Sequence, residues 1–177
     1  MSDLVAHDTV GCHVFARFGQ SWRLCVIADP RDGGALVAAG HVEADEDPST
    51  TAARQILAET GHRVRLLPPP LPQDTPPSEN ASVWRVVPMP VAADNWCDRG
   101  HVHRESTVVG AVDRPFAVCG PAEHATRWVE RGELDRLRLP DSTRGLLRDL
   151  FDVIDQASAV RPRPGRDEEL RAELLRR

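Results

Sequence analysis

Apolar positions first gather in two short runs, Gly11 to Phe18 and Trp22 to Ala28. Val14, Phe15 and Phe18 in the first, and Leu24-Cys25-Val26-Ile27 in the second, are strand formers, and Gly19-Gln20-Ser21 between them suits a hairpin turn. A polar connector, Asp29 to Gly34, leads to a third apolar run, Ala35 to Ala39, that predicts another strand ending at Gly40. The periodicity then changes. Pro48 to Thr60 predicts a helix, with Asp47 or Ser49 as its cap, Pro48 where a missing N–H costs nothing, and Gly61 as its stop. Ala52, Ile56 and part of Ala53 face a core, while Gln55, Ala58 and Glu59 share a neighbouring face.

Beyond it, His62 to Leu67 reads as a strand. The prolines at 68–70, 72, 76 and 77 exclude helix and central strand and mark a stiff surface connection. Ser82 to Val87, Ser106 to Val112 and Ala125 to Val129, the last anchored by Trp128, are further strands. Asp141 to Ala157 is the second main helix, carrying Leu146, Leu147, Leu150, Val153 and Ile154 at helical spacing. Arg161 to Arg166 breaks the chain, and Asp167 to Arg177 reads as a short charged helix or a frayed end. One domain over 11–157 follows, with an N-terminal extension at 1–10 and a C-terminal tail at 158–177. The Leu170, Leu174, Leu175 face of the tail is a candidate homodimer surface.

Composition changes this picture little. The chain has 177 residues, 41% hydrophobic and 28% charged, which suits one globular domain with its own core. A net charge of -5, with all 22 basic residues Arg and scattered, argues against nucleic acid as a partner. No run reaches the ~18 apolar residues of a membrane span, and the polar start, with Asp3, His7 and Asp8, does not resemble a signal peptide. The expectation is a cytoplasmic chain away from membranes, whose four cysteines stay reduced.

Candidate chemistry concentrates in Gly40 to Gly61: a strand end, an acidic loop with Glu43, Asp45, Glu46 and Asp47, and a helix carrying Arg54 and Glu59. Loop and helix can offer carboxylate oxygens to one hard divalent cation from two directions. The segment resembles the Nudix box: Gly, five residues, Glu, seven residues, Arg-Glu, an aliphatic residue, any residue, Glu-Glu, any residue, Gly. Gly40, Glu46, Arg54, Ile56, Glu59 and Gly61 stand at the required spacing, and the resemblance extends over roughly Gly11 to Gln156. It implies an α/β/α sandwich with a mixed β-sheet. It also implies Mg²⁺- or Mn²⁺-dependent cleavage of a diphosphate bond in a nucleoside diphosphate derivative.

Carried over residue by residue, Gly40 offers a carbonyl and Glu59 a carboxylate to the metal, while Arg54 and Glu46 brace loop against helix. Two acidic positions depart from the pattern, held here by Gln55 and Ala58. Each missing charge beside a divalent ion is worth a few kcal/mol at an effective dielectric of about 20. Glu43 or Asp45 is the expected replacement ligand, and Glu105 or Glu123 the candidate general base. His101 and His103, at i and i+2 on a strand, point to one side and are expected with Glu105 to line the substrate pocket. The competing readings are a plain polar strand face, or zinc held with Cys97 and Cys119. Trp96 is the candidate for stacking on a base. The rival to hydrolysis is a Nudix-fold module that binds a nucleotide without cleaving it.

Overall fold

The computed structural model describes residues 6–29, 33–69, 83–91, 101–139 and 141–160. Eight strands, β1 (Ala6–Phe18), β2 (Ser21–Ala28), β3 (Ala35–Leu36), β4 (Ala38–His41), β5 (Arg65–Leu66), β6 (Val83–Val91), β7 (His101–Val112) and β8 (Thr126–Val129), form one sheet. Helix α1 (Pro48–Thr60) covers one face and α2 (Asp141–Val160) the other. The sheet is mixed. β1 and β7 run parallel at its centre, and every other pairing is antiparallel. This is the α/β/α sandwich expected.

The centre is apolar on both sides because successive side chains of a strand alternate between faces. Val10, Cys12, Val14 and Ala16 pack with Ala52 and Ile56 of α1. Phe15 faces the opposite way, with Leu24, Val26, Val109, Val129 and Leu147, Leu150, Phe151 and Ile154 of α2. The Phe15 and Phe151 rings meet edge to face at 5.0 Å.

Several elements depart from the sequence reading. β1 starts at Ala6, so residues 6–10, expected as an extension, lie in the sheet. Polar His7, Asp8 and Thr9 hide this half from any hydrophobic pattern. It is held by backbone pairing to β4 and β7, which is indifferent to side chains. The single strand expected at Ala35 to Ala39 is two: at Val37 the chain leaves β2, where Leu36 pairs Ile27, and joins β1, where Ala38 pairs Cys12. The expected strand His62 to Leu67 shrinks to Arg65–Leu66. β7 begins five residues before Ser106 and α2 runs on to Val160.

Helix α1 has the bounds expected. The Asp47 carboxylate accepts from the Ser49 and Thr50 N–H groups, at 2.7 and 3.0 Å, and Gly61 closes the helix at φ 70°. Its buried stripe is Thr51, Ala52, Ile56 and Thr60, whereas Ala53 is exposed. After β8, a short 3-10 helix (Arg131–Arg136) buries Leu134 and leads to α2. Among the described residues no helix is long and apolar enough to cross a membrane. Trp96, Cys97 and the Leu170, Leu174, Leu175 face lie outside the described residues.

Candidate functional site

The loop between β4 and α1 folds back on its own helix. Arg54, one turn and a half into α1, donates to both oxygens of Glu46, Nε to Oε1 at 2.8 Å and Nη2 to Oε2 at 2.6 Å. The Thr51 hydroxyl donates to the same carboxylate at 2.8 Å. Glu43 joins from the loop, 3.2 Å from the Arg54 guanidinium. These bonds hold the Glu46 carboxyl down to about 2, the Arg54 contact first and Thr51 next. The loop therefore arrives at Arg54. Glu43 and Glu46 are both engaged there.

The other acids have different surroundings. Glu59 is half-buried on α1 and its carboxyl is raised, chiefly by desolvation. The Ala39 N–H and the charge of His124 oppose that rise, and Glu123 adds to it. Glu105, on β7, is half-buried and raised by desolvation alone. Its carboxylate lies over Gly11, where an added Cβ would come within 2.9 Å of Oε1. Both carboxylates act through space on the buried Cys12 thiol, pushing it up further after burial has done so. Among the described residues neither Glu59 nor Glu105 has a salt bridge.

The two eroded positions are filled rather than empty. The Gln55 amide lies against Gly40, so a Cβ at that glycine would collide with it. A larger residue at 40 would have to displace the Gln55 side chain. Ala58 is met by the segment before β8: the Glu123 N–H donates to the Ala58 carbonyl at 3.0 Å, and the His124 N–H to the Glu59 carbonyl at 3.2 Å. Cys119 N–H donates to the Gly61 carbonyl at 2.7 Å, fastening the same segment to the end of α1. The sequence reading missed His124. Nothing local to it signals a place beside Glu59.

A NUDIX domain family model matches residues 5–150. The chain belongs to the Nudix family. Its fold is shared with an Ap4A hydrolase of C. elegans (TM-score 0.60, 12% identity, 85% of this chain and 99% of that one). A NUDIX family hydrolase of Clostridium perfringens matches equally (TM-score 0.60, 14%, 85% and 99%). So does the E. coli dihydroneopterin triphosphate pyrophosphohydrolase (TM-score 0.59, 15%, 81% and 94%). At these identities the likeness is one of fold. No curated protein matches the chain by sequence.

In this Nudix domain, Gly40, Arg54, Glu46 and Glu59 thus stand in one connected unit of β4, loop and α1, while Glu43 completes the Arg54 cluster. His103, half-buried, touches His41 and His7 by ring edges. His101 begins β7, and its side chain is outside the described set. Cys119 is exposed and carries a free thiol. A cavity of about 300 Å³ between β2, the 3-10 helix and α2, lined by Trp22, Arg131, Phe151 and Asp155 among others, includes no residue of the box.

The donor set tests the expected metal. Among the described residues no three His, Cys, Asp or Glu side chains form a ready cage. What the described residues offer is two desolvated carboxylates, Glu59 and Glu105, with no arginine partner among them, and the backbone around Gly40. Mg²⁺ commonly uses one or two carboxylates and completes its shell with water and substrate phosphates. The residues fit a cation held jointly with a diphosphate, and do not fit a protein-only site.

Proposed function

We propose that this Nudix domain hydrolyses a diphosphate bond in a nucleoside diphosphate derivative, with Mg²⁺ or Mn²⁺ bound together with the substrate. The observation that carries the reading is the division of the surviving acids. Arg54 neutralises the loop glutamates, whereas Glu59 is half-buried and raised, with no arginine partner among the described residues, on the helix face next to Gly40. A half-buried carboxylate whose desolvation outweighs one N–H and one histidine charge is stabilised when a cation approaches it.

In this reading Glu59 and the Gly40 carbonyl hold the metal, and Glu105 or Glu123 supplies a further oxygen or takes the proton of the attacking water. The bound metal would neutralise the diphosphate and polarise the phosphorus under attack. Arg54 and Glu46 act by position: their two-point contact fixes the loop that follows β4 relative to α1. Glu105, with no salt bridge among the described residues, keeps a proton affinity above that of a solvated carboxylate, which suits it to accept a proton. His101 and His103, on β7, are the residues this reading assigns to the organic part of the substrate. The two named hydrolases of the same fold are a diadenosine tetraphosphate hydrolase and a pterin triphosphate pyrophosphohydrolase, which supports a phosphoanhydride as the bond broken.

A second reading rests on Gln55, whose neutral amide covers Gly40 at a box position where the family has a glutamate. It makes the chain a nucleotide-binding module without turnover. Phosphate release from a panel of nucleoside diphosphate derivatives, with Mg²⁺ and with Mn²⁺, decides between them. Metal-dependent release that falls roughly 100-fold or more in Glu59→Gln is the expected outcome. Binding that ignores both metal and the substitution, with no release from any substrate, would overturn the hydrolase reading.

A further inference from the structure

On the face of the sheet towards α1, β1 carries Val10, Cys12 and Val14. On the face towards α2 the same stretch reads Thr9, Gly11 and His13 before Phe15 resumes the apolar core. The parallel register sets Glu105 beside Thr9 and Thr107 beside Gly11, so this polar set shares one face. Thr9, His13 and Thr107 are all buried. The Thr9 and Thr107 hydroxyls have no hydrogen-bond partner among the described residues. The half-buried Glu105 carboxylate lies over Gly11. Desolvation is the one influence resolved on it, so no donor or cation among the described residues is set against it. His13 is held neutral by burial, down to about 4, and brings no balancing charge. Central strands of this kind are ordinarily apolar on both faces, and polar groups set there without partners are destabilising until something completes them.

We propose that this face takes the base of the nucleotide, with Glu105 accepting from the adjacent ring N–H and exocyclic amino group of a guanine-type base. The proposal rests on the reading of the chain as a nucleotide-binding Nudix domain, and is the same whether or not the nucleotide is cleaved. An ionised carboxylate only accepts, and its two oxygens take two parallel N–H bonds. Guanine presents N1–H beside its 2-amino group. Adenine and cytosine set a single amino group beside an acceptor nitrogen, and uracil sets one N–H between two carbonyls, so each turns a lone pair towards Glu105. Phosphate is kept from the same place by charge. Gly11 is the one position in this row without a side chain. Turning Glu105 off it opens a gap for a flat ring, with the Thr9 and Thr107 hydroxyls beside it as donors to the acceptor atoms of the base. Glu105 then serves the base end of the substrate, and Glu123 is the acid left for the attacking water.

The test uses the full chain and measures equilibrium binding of GDP, inosine diphosphate, ADP and UDP by calorimetry, without divalent metal so that no turnover intrudes. Inosine diphosphate keeps N1–H and lacks the 2-amino group. GDP is expected to bind roughly 10-fold or more tighter than inosine diphosphate, and ADP and UDP weaker still. In Glu105→Gln the preference for GDP over inosine diphosphate is expected to fall to about 2-fold or less. Thr107→Val removes a buried hydroxyl that has no partner. It is expected to hold or raise the melting temperature while weakening GDP several-fold, a loss that a purely structural threonine does not give. Equal binding of all these nucleotides, a preference for ADP or UDP, a GDP preference unchanged in folded Glu105→Gln, or no binding would overturn the proposal. The hydrolase reading fails separately. Guanine preference without phosphate release strikes hydrolysis alone, and phosphate release from every base alike strikes this proposal alone.

Discussion

Glu46 and Glu59 belong to one sequence motif, thirteen residues apart, and the structure puts them to opposite uses. Glu46 is satisfied by Arg54 and Thr51 and sits far below the ordinary carboxylate range, while Glu59 is raised by desolvation. That contrast predicts a pH dependence. A carboxyl near 4.5 when unfolded and about 2 when folded binds fewer protons in the native state at intermediate pH. The stability it contributes is therefore complete above about 4.5 and is lost as pH falls toward 2. Urea midpoints at pH 7 and pH 3 are expected to drop further in wild type than in Glu46→Gln, and equal drops would show that the Arg54 contact does not persist in solution. The spacing of Arg54 and Glu46 was legible in the sequence because both ends of the pair lie within one box. The surroundings of Glu59 were not, since the Ala39 N–H, Glu123 and His124 come from other parts of the chain.

Among elements, α1 was readable to the residue because its signals are local: Asp47 caps, Pro48 starts and Gly61 stops it. Strands were readable only where they are buried. The first half of β1 and the start of β7 carry His7, Asp8, His103 and Arg104, and show no apolar alternation. The Asp8 carboxylate pairs with both Arg104 nitrogens, at 2.5 and 2.7 Å, a contact that exists only once the strands are side by side. Gly61 ends α1, and its carbonyl accepts from the Cys119 N–H of the segment that carries Glu123 and His124. A Cβ there would come 2.7 Å from the Gly120 carbonyl oxygen, at a φ of 70°. Gly61→Ala is expected to cost about 1–3 kcal/mol in urea denaturation. It should also lower any metal-dependent turnover by shifting the segment against Glu59. An unchanged midpoint would mean that the segment moves aside at no cost.

At the scale of the whole molecule, one pair of central strands serves both layers. Val14 faces α1 and Phe15 faces α2, and both are fully buried. Removing the Phe15 ring opens a cavity against Phe151, so Phe15→Ala is expected to cost about 3–5 kcal/mol. Loss is expected in a single transition, with far-UV circular dichroism and tryptophan fluorescence coincident, because neither layer keeps a core without β1. Separate transitions for the two probes would show the layers to be independent.

The sequence by itself determined what depends on near neighbours: the helix and its caps, the alternation of buried strands, and the Nudix spacing with its two departures at Gln55 and Ala58. These follow from local backbone geometry and the period of side chains along it. Which groups meet was decided by the tertiary structure. Parallel pairing of β1 with β7 sets Glu105 over Gly11 and His7 beside His103. The switch of partner at Val37 brings Gly40 under Gln55 and His41 to the other two imidazoles. Strand register joins residues about a hundred positions apart, and no pattern within a single strand specifies its partner.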